Sequence, residues 1–164
     1  MSMRFNADDV LEMALGIERN GAAFYRRAAE LQQDAHARAT LLELAAMEED
    51  HEKTFADMRK GLTAEEQRET TYDPEGQLPL YLRAMADNQV FDTKTSPADR
   101  LTGKESVAHL LRYAIGMEKD SIVFYLGLQE LVPKRLGAAR IGDIIKEEMG
   151  HIATLGDLMR CSHP

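Results

Sequence analysis

The chain has 164 residues, of which 44% are apolar and none is tryptophan, enough for one compact domain but too few for two independent ones. Its 28 acidic and 20 basic side chains leave a net charge of -8, so a nucleic-acid partner would be repelled and is not expected. The sequence has no apolar run near the ~20 residues that span a bilayer and no signal peptide, which predicts a cytoplasmic protein without a membrane partner. One cysteine, Cys161, excludes an internal disulfide or a four-cysteine metal site within the chain.

The first part of the chain is predicted to form an antiparallel helical hairpin. Apolar residues recur at helical spacing over 7–32 and again over 36–62, and nothing alternates with the period of a strand. The sequence NADD marks the first helix start, and only a few residues separate the two stretches. The second helix is therefore expected to run back along the first.

The segment 63–103 is expected to be a crossover rather than a third long helix. It contains three prolines and two acidic clusters, and it is long enough to follow a bundle of ~25-residue helices, about 38 Å at ~1.5 Å per residue. Within it, the stretch LPLYLRAMADNQVF is predicted to form a short helix whose apolar side lies on the bundle or on a second subunit.

A second hairpin is predicted over 104–132 and 134–160, with Pro133 in the first turn of its second helix. Together the four stretches predict an all-α four-helix bundle. It would form a single domain, 1–164, made of two antiparallel hairpins, 7–62 and 104–160, joined by the crossover.

The two hairpins are related by a repeat of one hundred residues. Placing 7–58 over 107–158 aligns ALGIERNGAAFY with AIGMEKDSIVFY, which indicates a duplicated hairpin. Helical amphipathicity explains shared apolar positions, but it does not demand shared polar or small residues. Five such residues recur at this interval: Gly16, Glu18, Tyr25, Glu48 and His51.

Two Glu-x-x-His pairs fall on the helix faces that are predicted to point inward. These pairs are Glu48 with His51 and Glu148 with His151, and they occupy seam positions where a bundle core needs leucine. The first and third helices add Glu18 and Glu118 to their own inward seams. By contrast, four glutamates fall off the seams and are expected to be solvated: Glu43, Glu49, Glu52 and Glu147.

Such a cluster points to metal ions. Four ionised carboxylates facing each other in a dry core would be costly, whereas two divalent cations would neutralise them. Carboxylate and imidazole ligands suit Fe or Mn, and Zn can compete. A structural interpretation stays open for each residue alone, because a buried histidine can be only hydrogen-bonded and a buried polar residue can serve to fix helix register.

At these residues the sequence resembles the rubrerythrin and bacterioferritin branch of the ferritin-like superfamily, whose bundles bind two irons with a Glu from two helices and Glu-x-x-His from the others. The resemblance implies a ferritin-like bundle in which Glu18 and Glu118 are terminal ligands, and Glu48 and Glu148 bridge the irons. It also implies that His51 and His151 each bind one iron. Tyr25 resembles the family's tyrosine that supports a ligand from outside the metal shell, and Tyr125 is expected to mirror it by bonding a carboxylate across the bundle. The alternative is that these inward tyrosines only fill space.

Three departures qualify the resemblance. The chain lacks the four cysteines of a rubredoxin domain, so an external electron donor, either another protein or Fe(II), is expected. Rubrerythrins have a further glutamate where this chain has Ser121, and bacterioferritin has its haem methionine where this chain has Glu49, so no haem is expected. Gly21 and Ser121, one turn after Glu18 and Glu118, provide either an opening to the metals or close helix packing.

The function implied is a non-haem di-iron oxidoreductase, a peroxidase or ferroxidase of the kind that acts in oxidative stress. Its two irons would reduce hydrogen peroxide or dioxygen while a diferrous centre is oxidised, and a homodimer or larger homo-oligomer is expected. One alternative is iron storage or carriage, with the same site as a ferroxidase or loading centre. Another is a metal-free interaction bundle.

Overall fold

The computed structural model describes residues 6–68, residue 81 and residues 96–161. Over these residues the chain forms four long α-helices and no strand, which confirms the predicted all-α bundle. None of the helices described is long and apolar enough to cross a membrane. The helices are α1 (Ala7–Glu30), α2 (Ala35–Lys60), α3 (Val107–Leu131) and α4 (Ala138–Cys161), and short 3-10 turns cover Pro97–Arg100 and Lys134–Leu136.

Side-chain caps fix where the first three helices begin. Asn6 accepts a hydrogen bond from the Asp9 amide at 2.9 Å while the Asp9 carboxylate accepts one from the Asn6 amide at 3.0 Å, so two otherwise unpaired donors are satisfied. The carboxylate of Asp34 caps α2, and the hydroxyl of Ser106 caps α3.

The fourth helix begins later than predicted. The predicted start at residue 134 is wrong, because Pro133 precedes a 3-10 turn over Lys134–Leu136 and not the first turn of α4. Gly137 then adopts the left-handed conformation, with φ of 94°, which ends the turn and allows the chain to enter α4 at Ala138.

The predicted short helix over 78–91 lies largely outside the described residues. Of its residues only Tyr81 is described; it has helical conformation, and its hydroxyl donates a hydrogen bond to the backbone carbonyl of Val123 in α3.

The helices pack as two hairpins, α1 with α2 and α3 with α4, and the hairpins meet through α1 with α3 and α2 with α4. The apolar core has two parts. One part contains Leu11, Phe55 and Ile144, and the other contains Phe24, Leu44 and Leu155. Positions 18, 48, 118 and 148 fall between these two parts along their helices, so a polar layer crosses the middle of an otherwise apolar bundle.

Candidate metal centre

All six predicted ligands lie in this polar layer, and none of them is more than 4% exposed. Helical periodicity explains their positions, because each replaces a core residue on the inward seam of its helix. The hairpin turns are short, so Glu18 comes level with Glu48, and Glu118 comes level with Glu148. The structure thus brings together Glu18, Glu48, His51, Glu118, Glu148 and His151.

Their atoms form two overlapping groups, which we name the His51 position and the His151 position. The His51 position consists of Glu18, Glu48, His51 and Glu148, and the His151 position consists of Glu48, Glu118, Glu148 and His151; within each group the ligand atoms lie within 4.8 Å of one another. Glu48 and Glu148 belong to both groups, so each is placed to bridge them.

Glu148 lies between the two imidazoles. Its Oε1 lies 2.9 Å from Nδ1 of His51, and its Oε2 lies 2.8 Å from Nδ1 of His151. The opposite carboxylate, Glu48, approaches His151 Nδ1 at 3.1 Å and His51 Nδ1 at 3.9 Å. Both histidines therefore direct Nδ1 toward the shared carboxylates.

Two buried tyrosines support the carboxylates that are not shared. The hydroxyl of Tyr25 in α1 donates a hydrogen bond to Glu118 in α3, and that of Tyr125 in α3 donates one to Glu18 in α1. Both bonds cross from one hairpin to the other, which for Tyr125 is the contact that the sequence predicts. Each bond fixes one oxygen of its carboxylate. In Glu18 the other oxygen, Oε2, lies 3.6 Å from His51 Nδ1, whereas in Glu118 the bonded oxygen, Oε1, itself lies 3.5 Å from His151 Nδ1.

In the absence of metal ions, the charge of the cluster depends on which of its carboxylates and imidazoles hold protons. Burial raises the pKa of Glu18 to about 8, and burial together with the neighbouring carboxylates raises the pKa values of Glu48 and Glu118 well above the ordinary value. Burial opposes ionisation of Glu148 too, but the close approach of the two imidazoles to its oxygens lowers its pKa to about 2. Burial would lower the pKa of His151, yet the surrounding carboxylates raise it to about 12.

Several buried atoms of the cluster are unsatisfied, and this tests whether metal ions fit. Buried polar atoms are normally hydrogen-bonded. The atoms without a hydrogen-bond partner among the described residues include Glu18 Oε2, Glu48 Oε1, both carboxylate oxygens of Glu148, and Nδ1 of both histidines. These oxygens and nitrogens are suitable donors for a transition metal, so the residues fit a dinuclear carboxylate and histidine centre.

Glu147 is a neighbour of the centre that sequence reasoning missed. Its carboxylate lies 2.7 Å from His51 Nε2 and also accepts a hydrogen bond from Arg140 at 2.8 Å. Glu147 is partly exposed, as expected for an off-seam position, but its contact with His51 was not predicted. Its repeat counterpart is Met47, and this difference between the hairpins was the available signal. Of the other off-seam glutamates, Glu43 is exposed, and Glu49 and Glu52 are partly exposed and pair with Arg26 and Arg19.

A small cavity reaches the cluster between α1 and α3. Gly21, Ser121, Glu48 and Glu118 all line it. A Cβ atom at position 21 would lie only 3.3 Å from the Glu48 side chain, and Ser121 donates its hydroxyl to the Met117 carbonyl at 3.1 Å. Gly21 thus combines the two roles that the sequence left open, since it lines an opening and also allows close packing, and Ser121 lines the same opening.

Fold and cluster together define a ferritin-like bundle whose buried carboxylates and histidines fit a di-iron site. Residues 6–160 match the family model described as a ferritin-like domain, and the chain belongs to this family. The structure is similar to a crystal structure from Thermotoga maritima of a candidate ferritin-like diiron-carboxylate protein, with a TM-score of 0.72, 21% identity, and 98% of each chain covered. At this identity the similarity shows the fold alone. No curated protein matches the sequence.

Proposed function

We propose that the six residues of the polar layer bind two iron ions and that the protein is a non-haem di-iron oxidoreductase that reduces hydrogen peroxide or dioxygen. Glu18 with His51 and Glu118 with His151 would be the terminal ligands. The observation that carries the proposal is the sharing of Glu48 and Glu148 by two otherwise separate ligand groups, since a pair of metals needs bridging ligands between them. When bound, the iron pair would supply the electrons for reduction of the oxidant.

The protein residues hold this centre dry and in a fixed geometry. Apolar clusters lie on both sides of the polar layer and keep water away from the ligands. Tyr25 and Tyr125 orient Glu118 and Glu18 from across the bundle. The cavity beside Gly21 and Ser121 has space for about one water molecule, which suits a diatomic oxidant or hydrogen peroxide better than an organic substrate.

The proposal is tested by loading the protein with Fe(II) without oxygen and then adding each oxidant. We expect two irons per chain, rapid oxidation in stopped-flow absorbance, and repeated turnover when a reductant is supplied. A protein that binds fewer than two metal ions, or that binds two but is not oxidised by either reagent, would contradict the proposal.

The same experiment separates catalysis from iron storage. A storage protein would continue to take up iron beyond two ions per chain and would retain it in a closed shell of many subunits. Sedimentation of the iron-loaded protein measures both quantities at once. We expect the iron content to saturate at two per chain in a small oligomer.

A further inference from the structure

We propose that Glu147 is a positioning residue that makes the His51 position the tighter of the two metal positions. Metal would then load first at the His51 position, and the His151 position would be the one that exchanges its metal and meets the oxidant. This inference rests on the proposed two-metal centre but goes beyond it, because the six ligands alone are nearly symmetric.

The His51 imidazole is held on the side away from the cluster. Its Nδ1 faces Glu148 at 2.9 Å while its Nε2 lies 2.7 Å from the Glu147 carboxylate. A histidine that binds metal through one nitrogen carries its proton on the other, and an acceptor there fixes the tautomer and ring orientation and makes the imidazole a better ligand. Arg140 holds Glu147 in place with a bond of 2.8 Å.

The His151 imidazole lacks this support. Its Nε2 is buried and has no hydrogen-bond partner among the described residues. The residue that corresponds to Glu147 in the first hairpin is Met47, which cannot accept a strong hydrogen bond and is 38% exposed. The residue that corresponds to Arg140 is Thr40. Both members of the supporting pair are thus missing from one half of the repeat.

The location of the cavity also makes the His151 position the more accessible of the two. The cavity between α1 and α3 is lined by Glu118, which belongs to the His151 position alone, and by the shared Glu48. Neither Glu18 nor His51 lines it. A small molecule in this cavity would therefore reach the His151 position first. This is the position whose histidine has no supporting acceptor.

The test uses Mn²⁺ alone, because its weaker binding makes stepwise affinities measurable and its electron paramagnetic resonance spectrum distinguishes isolated ions from coupled pairs. In the wild type we expect the first equivalent to give the spectrum of isolated ions and the second to convert it to that of pairs. Calorimetry should resolve two steps. His151→Ala should retain the tighter step, whereas His51→Ala should lose it.

Variants at the repeat-related positions then identify the cause. Glu147→Met, which copies the other half of the repeat, should weaken the tighter step about 10–100-fold, and Glu147→Gln, which keeps an acceptor oxygen, should weaken it less. Met47→Glu should strengthen the weaker step and leave the tighter one unchanged. Circular dichroism of each variant checks that the helices form.

The proposed centre and this inference fail in different ways. A wild type that binds no Mn²⁺ would overturn the proposed metal centre and this inference with it. Two ions bound with the tighter step unchanged in Glu147→Met, or retained in His51→Ala, would overturn the role of Glu147 alone. The same holds if Met47→Glu leaves the weaker step unaltered.

Discussion

The metal-free protein is expected to lose stability as the pH rises from mildly acidic to alkaline values. Glu18 drives this change, because burial raises its pKa from 4.5 to about 8. Between these values the unfolded chain has released the proton and the folded chain still holds it. Unfolding therefore releases a proton, and the free energy of unfolding falls with increasing pH.

The size of the effect follows from the same two values. The difference between 4.5 and about 8, at about 1.4 kcal/mol for each pH unit, gives a loss on the order of 5 kcal/mol once Glu18 is ionised. His151 acts in the same direction, since its folded pKa is raised from 6.5 to about 12 and its contribution is lost as the pH rises through that range. A loss of this size is comparable to the total stability of a small domain, about 5–15 kcal/mol.

Glu148 sets the acid limit of this window. Its pKa is lowered from 4.5 to about 2, so its contribution is present above 4.5 and is lost as the pH falls toward 2. The metal-free protein should therefore be most stable near pH ~5, above the titration of Glu148 and below those of Glu18 and His151. Bound metal should reverse the dependence on the alkaline side, because it requires deprotonated ligands.

Urea unfolding of chelator-treated protein, followed by far-ultraviolet circular dichroism at pH ~5, ~7 and ~9, measures the effect. In Glu18→Gln, which has no proton to lose at this position, the decline with pH should be shallower than in the wild type. Glu43→Gln changes an exposed carboxylate on α2 and should behave as the wild type. A metal-free wild type that is as stable at pH ~9 as at pH ~5 would refute the reasoning.

Three further predictions concern the metal-loaded protein. Glu48→Ala or Glu148→Ala should abolish binding of the metal pair and leave the helices formed, because the apolar clusters on both sides of the polar layer are unchanged; metal analysis with circular dichroism decides this, and full occupancy in both would contradict it. Metal should dissociate as the pH falls into the acidic range, because protons compete with the metal for the imidazole and carboxylate ligands; dialysis followed by metal analysis measures this, and retention at pH ~3 would contradict the ligand set. Ser121→Glu, which adds a carboxylate beside Glu118, should raise the rate of oxidation by peroxide relative to dioxygen in stopped-flow experiments, and an unchanged ratio with both metals bound would contradict it.

Periodicity and the internal repeat predict most of the bundle. The sequence of each single helix is enough to show that Glu18, Glu48 and His51 stand where a core residue is expected, because a seam position is defined by the spacing within that helix. The start of α4 was not predictable in this way. Residues 134–136 continue the helical pattern, and only the left-handed conformation of Gly137, which depends on the turn between the helices, separates them from α4.

Glu147 shows the limit of single-helix reasoning. Its position beside Glu148 lies off the inward seam, where a carboxylate is normally solvated, and its contact with His51 depends on the distance between α2 and α4. Spacing within α4 contains no information about that distance. The contrast of Glu147 with Met47 across the repeat, together with Arg140 two turns earlier on the same helix, is the pattern that marks it.

The differences between the two hairpins that bear on the candidate centre lie beside the six predicted ligands and not among them. The ligand residues are identical at the interval of one hundred, whereas Gly21 is replaced by Ser121 and Met47 by Glu147. Two metals held by equivalent ligands would bind and react alike, so any division of roles between them must come from the surrounding residues. Glu147 acts on the imidazole of one position, and the cavity beside Gly21 and Ser121 opens on the other. Under the role proposed for Glu147, both differences have the same consequence: the His51 position is held more firmly, and the His151 position is more accessible.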